Sequence, residues 1–121
     1  MEIAATCSVS SRGWTVLFWT AALFNLLIGL AAMISPEASI DARTVGLLVF
    51  SFGVVYIQVA RDPLRFGPVL WAGALGKLGV VGLLGPGAFG EGGSVLVAGG
   101  LLGDALFALG FLAFLFKTSE E

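Results

Sequence analysis

Four long apolar stretches dominate the sequence and decide what the chain can fold into. They run over residues 14–34, 44–60, 68–85 and 94–116. The first two carry no formal charge, whereas the third contains only Lys77 and the fourth only Asp104. A helix needs about 20 apolar residues to cross the hydrocarbon core of a bilayer. The pattern therefore predicts an all-α polytopic membrane protein, an antiparallel bundle of four transmembrane helices.

The composition supports lipid rather than water as the solvent of this chain. Hydrophobic residues make up 58% of the sequence and charged residues only 12%, against about 25% charged residues in an average soluble domain. The first apolar stretch is longer than the apolar region of a signal peptide, so we expect it to be retained as a helix. We treat residues 1–121 as a single integral membrane domain.

Proline, glycine and charged residues interrupt the apolar stretches at three places. The interruptions are Ser35-Pro36-Glu37, Arg61-Asp62-Pro63 and Gly85-Pro86-Gly87. Proline cannot continue a helix without losing a hydrogen bond, and charges resist the hydrocarbon. Each connection is short, so sequential helices are expected to pack as antiparallel neighbours.

Missing residue types exclude several functions. The chain has no histidine and a single cysteine, Cys7, so histidine-ligated haem, a serine–histidine–aspartate triad and a cysteine redox pair are absent. The formal net charge of −2 and the scattered basic residues argue against nucleic acid as a partner. We expect no metal, no cofactor and no catalytic residue, because no set of nucleophile, base and orienting group is visible.

A polar residue occurs near the middle of every predicted span. With a rise of about 1.5 Å per residue, Asn25, Ser51, Lys77 and Asp104 lie about 10 to 16 Å from the ends of their spans. We interpret them, together with Tyr56, as a candidate binding layer at the midplane of the bilayer.

Lys77 and Asp104 carry opposite charges on adjacent antiparallel spans. A lone charge at the bilayer centre costs about 2.5–3.5 kcal/mol on insertion scales, so the sequence predicts that the two side chains form an ion pair. Two interpretations stay open. The pair can serve only to fix which helices are neighbours, or Asp104 can relay protons or bind a ligand while Lys77 keeps it ionised.

Glycines flank both charged residues. Small residues let transmembrane helices approach closely. We therefore predict that the third and fourth helices make the tightest contact in the protein, through glycines on both sides of the interface: Gly73, Gly76, Gly99 and Gly103.

Several short motifs resemble those of the DoxX-like superfamily of small four-helix proteins of the bacterial inner membrane. They are Phe24-Asn25-x-x-x-Gly29, Arg61-Asp62-Pro63 and Gly76-Lys77, and the resemblance covers nearly the whole chain. It implies a protein that assists partner proteins in redox or sulfur metabolism. A redox-active cysteine pair does not carry over, because Cys7 is the only cysteine.

Two classes of function follow from these observations. In the first, the chain is an accessory or assembly subunit of a membrane complex, and a protein partner performs the chemistry. In the second, a homo-oligomer transports a small molecule or ion, or binds a lipid, through Asp104. Membrane lipids are partners in both cases, and an enzymatic role is the third and weakest possibility.

The distribution of basic residues predicts the orientation in the membrane, because cytoplasmic loops are enriched in Lys and Arg. The N-terminal tail, the second loop and the C-terminal tail hold Arg12, Arg61, Arg65 and Lys117, whereas the other side holds only Arg43. Both termini are therefore expected in the cytoplasm.

A reporter that is active only in the cytoplasm should be active when it is fused after Lys117. Activity of a periplasmic reporter fused at the same position would overturn this orientation.

Overall fold

The chain folds almost entirely into helices. The computed structural model describes residues 12–119, and no strand occurs among them. The four long helices are α1 (Arg12–Ile34), α2 (Ile40–Arg61), α4 (Leu70–Ala88) and α5 (Val95–Ser119), with a one-turn helix α3 (Pro63–Phe66) and a 3-10 turn (Gly67–Val69) before α4. The predicted all-α, four-helix fold class is confirmed. Cys7 lies outside the described residues.

Each of the four long helical segments has the length and the apolar composition needed to cross a membrane. The candidate spans are Arg12–Ile34, Ile40–Arg61, Pro63–Ala88 and Val95–Thr118. In each, less than a third of the most apolar 18-residue window is buried within the protein. A helix that is apolar yet exposed all around is suited to lipid, so the chain is an integral membrane protein.

Local capping explains where two of the helices begin. α2 starts four residues before its apolar stretch, because the Ser39 side chain accepts a hydrogen bond from the Ala42 backbone nitrogen at 3.1 Å and Asp41 lies in the first turn. Both features favour a helix N-terminus. α5 begins where the sequence predicts, directly after Ser94, whose Oγ accepts from the Val97 nitrogen at 3.3 Å.

The third long helix continues through its predicted end. We expected Gly85-Pro86-Gly87 to stop it, but α4 runs on to Ala88 with Pro86 inside the helix. A proline removes its own backbone donor and crowds the carbonyl group four residues earlier. The helical bonding nevertheless resumes when the Phe89 nitrogen donates to the Gly85 oxygen at 2.9 Å. The connection to α5 contains Gly92, whose φ of 83° is left-handed.

The helices pair into two compact units that divide after Gly67. The first hairpin consists of α1 and α2, and the second consists of α4 and α5. Each hairpin is an antiparallel pair joined by a short loop, as the short connections predict.

Glycines bring the two helices of the first hairpin into close contact. A Cβ atom added at Gly29 would lie 2.5 Å from the Phe50 nitrogen, and one at Gly46 would lie 2.7 Å from the Ala32 Cβ. At Gly53 the added atom would meet Leu26 at 2.8 Å. Gly46 and Gly53 are seven residues apart and so share one face of α2, a spacing that could have identified this contact in the sequence.

The predicted glycine contact of the second hairpin is wrong for two of its four residues. Gly73 is buried and Gly103 half-buried, but a Cβ added at Gly76 or Gly99 would meet no atom within 4 Å. In α4 a glycine recurs at every third position from Gly73 to Gly85. Three residues turn the helix by about 300°, which is about 60° short of a full turn. Each glycine is therefore displaced by about 60° around the helix axis from the glycine before it, and Gly76 already faces outward.

Arg43 holds the loop of the first hairpin together. Its guanidinium group donates to the carbonyl oxygens of Ser35 at 3.0 Å, Ala38 at 3.3 Å and Pro36 at 3.4 Å. Carbonyl groups at and beyond the C-terminus of a helix lack partners within the helix. Arg43, at the beginning of α2, therefore binds the backbone where α1 ends.

The glycine contacts generate a matched test of packing. Leucine at Gly29 must push the backbones of α1 and α2 apart, and insertion of side-chain atoms into a packed core typically costs about 1–3 kcal/mol. We expect Gly29→Leu to lower the thermal unfolding midpoint in detergent, and Gly76→Leu, which enters open space, to leave it unchanged. Equal midpoints for the two variants would contradict this packing.

Candidate functional site

The predicted ion pair forms within the second hairpin. Lys77 Nζ on α4 donates to Asp104 Oδ1 on α5 over 2.7 Å. The Lys77 side chain is 6% exposed and the Asp104 side chain 20%. The pairing of these two residues is confirmed, and the short distance is typical of a charge-assisted hydrogen bond.

The pair lies deep inside the helices that carry it. Lys77 is seven residues from the start of α4 at Leu70, and Asp104 is nine residues from the start of α5 at Val95. These offsets correspond to about 10 and 14 Å along the helix axes. In a hydrocarbon environment, either charge alone would be strongly unfavourable, so each residue makes the other tolerable.

An aromatic ring also lies near the ammonium group. Lys77 Nζ lies 5.5 Å from the centroid of the Phe107 ring, which is within the range of a cation–π interaction. Phe107 is three residues after Asp104 and therefore shares its side of α5. The second hairpin thus supplies both a carboxylate and a ring face to the same ammonium group.

Asn25 is a buried polar residue of the first hairpin. Its side chain is 5% exposed, and Nδ2 donates to the Val49 carbonyl oxygen of α2 at 3.1 Å. Gly29, one turn further along α1, also contacts α2. Interhelical hydrogen bonds of this kind contribute roughly 0.6–2 kcal/mol in membrane proteins.

The other two residues of the predicted polar layer differ in orientation. Tyr56 is 1% exposed, and its ring lies 6.0 Å from that of Phe52. Ser51 is exposed, and its hydroxyl donates to the Leu47 carbonyl oxygen of its own helix at 2.9 Å. Ser51 does not join the buried residues of the layer, because it is two positions before buried Gly53 on α2 and is therefore turned about 200° away from it.

Between Lys77 and Leu101 the residues of the second hairpin are at most half-buried, and Leu101 itself lies three residues before Asp104 on α5. Burial ends at Lys77 on α4 and resumes at Leu101 on α5. We call the intervening residues 78–100 the loop half of the second hairpin. It contains nine of the 18 glycines of the chain. In the first hairpin, by contrast, Gly29 is buried five residues before the end of α1, and Gly46 is buried six residues after the start of α2.

The chemistry available at this site is narrow. Within residues 12–119 no group of three His, Cys, Asp or Glu side chains could hold a metal ion. Comparison of the chain with protein-family models, with curated proteins and with solved structures finds no match.

The ion pair predicts a specific pattern of mutant stabilities. Lys77→Met or Asp104→Leu leaves one buried charge without its partner, which typically costs about 3–5 kcal/mol for buried pairs. The double variant removes both charges, and an apolar replacement of similar volume is often neutral or stabilising. We therefore expect each single variant to lower the unfolding midpoint in detergent sharply and the double variant to restore it. Additive losses in the double variant would show that the two residues do not stabilise each other.

Proposed function

We propose that this protein is an accessory or assembly subunit of a membrane complex in the bacterial inner membrane, and that a protein partner covers the loop half of its second hairpin. The observation that carries the proposal is the absence of any buried residue between Lys77 and Leu101. The helices of this segment are as apolar as the rest, and its residues are at most half-buried. A helix of a partner protein can cover such a surface in place of lipid.

The residue types on this surface favour a helix over a lipid chain as its neighbour. A Cβ atom added at Gly76, Gly79 or Gly82 of α4 would meet nothing within 4 Å, and the same holds at Gly99 and Gly100 of α5. Exposed glycines let the backbone of another helix approach closely, and close backbone approach drives helix association in membranes. The DoxX-like resemblance, which implies a role in assisting partner proteins, agrees with this function.

The orientation that we propose places both termini in the cytoplasm and the loop half toward the opposite side. It is supported by Arg12, Arg61, Arg65 and Lys117 on one side of the spans. The single basic residue on the other side, Arg43, is bound to three loop carbonyl oxygens. Arg43 therefore has a structural role on that side, and its presence does not weaken the bias of Lys and Arg toward the proposed cytoplasmic side.

A second candidate function is supported by the asymmetry of the ion pair. The Asp104 side chain is more exposed than that of Lys77, 20% against 6%, and only one carboxylate oxygen is bonded to the ammonium group. A homo-oligomeric transporter or lipid-binding protein would use Asp104 as the group that meets its ligand. This alternative requires contacts between copies of the chain rather than with a different protein.

Site-specific photo-crosslinking in the native membrane separates these functions. A photoreactive residue at Leu83, which is 83% exposed on α4, probes the loop half, and one at Leu27, which is 58% exposed on α1, is the matched control. We expect a covalent adduct with a different protein from position 83 and only lipid adducts from position 27. An adduct between two copies at position 83 would favour the homo-oligomer, and lipid adducts alone at both positions would contradict the accessory role.

A further inference from the structure

Three arginine residues collect at the open end of the first hairpin, which is the end opposite to its loop. Arg12 is at the start of α1, Arg61 is the last residue of α2, and Arg65 lies in the one-turn helix α3 that follows. All three residues are exposed, and we call them the arginine cluster. Asp62 is the only carboxylate of the described residues at this end, so positive charges outnumber negative charges there by three to one.

The packing of α1 against α2 shows that the cluster occupies one layer. A Cβ atom added at Gly53 would meet Leu26, which sets the register of this antiparallel pair. Arg61 is eight residues after Gly53 and is therefore level with Phe18, eight residues before Leu26. Arg12 is six residues further, or about 9 Å along the axis. Arg12 and Arg61 thus lie together at the depth where both spans end.

The guanidinium groups of the cluster have no carboxylate partner within residues 12–119. Asp62 is engaged elsewhere, because its Oδ1 accepts a hydrogen bond from the Arg65 backbone nitrogen at 3.4 Å and caps α3. The Arg65 guanidinium lies 5.1 Å from the centroid of the Phe66 ring, a contact that leaves its charge in place. At the loop end of the same hairpin, by contrast, the Arg43 guanidinium is bound to three carbonyl oxygens.

The segment that carries Arg65 is apolar as well as basic. Helix α3 consists of Pro-Leu-Arg-Phe, and Leu64 is 43% exposed. Because this turn directly follows a span, its apolar side chains can meet acyl chains while its guanidinium group reaches the headgroups. A soluble phosphate would contact only the arginines, whereas a phospholipid contacts both kinds of side chain.

We propose that the arginine cluster binds the phosphate group of an anionic phospholipid. Guanidinium groups bind phosphate oxygens through paired hydrogen bonds. The excess of positive charge favours a headgroup with a net negative charge over a zwitterionic headgroup, whose own ammonium group is repelled. The site belongs to the first hairpin alone, so it goes beyond the accessory function and does not depend on what covers the second hairpin.

Titration of the purified full chain with lipid in a neutral detergent, followed by native mass spectrometry, measures this binding. We expect phosphatidylglycerol to bind the unchanged chain more tightly than phosphatidylcholine with the same acyl chains. The attraction of one basic residue to an anionic lipid surface corresponds to about fivefold in affinity. Arg61→Gln combined with Arg65→Gln should therefore weaken the binding of phosphatidylglycerol about 25-fold and leave that of phosphatidylcholine unchanged.

Lys117→Gln is the matched control, because it removes an exposed basic side chain of the second hairpin. We expect it to leave the binding of phosphatidylglycerol unchanged. Equal affinities for the two lipids, or unchanged binding in the arginine variant, would overturn the proposal. A loss per removed charge in Lys117→Gln as large as in the arginine variant would also overturn it, since binding would then reflect net charge alone. Displacement of phosphatidylglycerol by an equal concentration of inorganic phosphate would assign the cluster to a soluble anion instead.

A second measurement leaves every arginine in place and so does not depend on the folding of those variants. A photoreactive residue at Leu64 probes the arginine cluster, and one at Ile40, which is 77% exposed at the loop end of the same hairpin, is its control. Both chains are placed in vesicles of phosphatidylglycerol and phosphatidylcholine in equal parts. We expect the lipid adducts at position 64 to be enriched in phosphatidylglycerol and those at position 40 to match the vesicle. The same lipid composition at both positions would overturn recognition by the cluster.

Discussion

The neutralisation of one charge by another inside the hydrocarbon is the constraint on which the second hairpin depends. Lys77 and Asp104 lie in α4 and α5 at depths where an isolated ion would oppose insertion, and the 2.7 Å bond between them makes both helices acceptable to the bilayer. The bond also fixes the rotation of each helix, because only one face of each can present the charged side chain to the other. Phe107, which lies 5.5 Å from the ammonium group, adds a ring face on α5.

The two hairpins solve the same packing problem by different means. In the first, the backbones of α1 and α2 meet at Gly29 and Gly46, and Asn25 adds an interhelical hydrogen bond at 3.1 Å. Contact therefore continues almost to the loop, where Arg43 binds the last carbonyl groups. In the second, the residues between Lys77 and Leu101 are at most half-buried, although α4 and α5 contain more glycine. Glycine alone does not bring helices together: its effect depends on whether its face is turned toward a neighbour.

Hydropathy was sufficient to predict the number and approximate limits of the spans, because the transfer of a helix into lipid depends on its overall apolar character. It depends little on which apolar residue occupies which position. The Lys77–Asp104 pair was predictable for the same reason, since two opposite charges at similar depth have few other partners. Depth along a helix, however, does not give rotation about its axis. Ser51 has the right depth and the wrong direction, and Gly76 and Gly99 were assigned to a contact that they face away from. Pro86 shows a related limit of prediction from sequence. Whether a helix continues past the backbone donor that a proline lacks depends on the hydrogen bonds of the turn that follows.

The position of the ion pair within its hairpin has a further physical consequence. The part of the hairpin away from the loop contains the buried residues Leu70, Phe111 and Phe114, and Trp71 and Phe116 pack edge to face with ring centroids 5.7 Å apart. These contacts and the ion pair lie outside residues 78–100. Within that segment, a Cβ atom added at Gly79, Gly82, Gly85, Gly99 or Gly100 would meet nothing within 4 Å. A surface held in this way can bind another helix without first breaking contacts of its own, which lowers the free-energy cost of association. The same arrangement leaves the Asp104 side chain 20% exposed at the base of that surface.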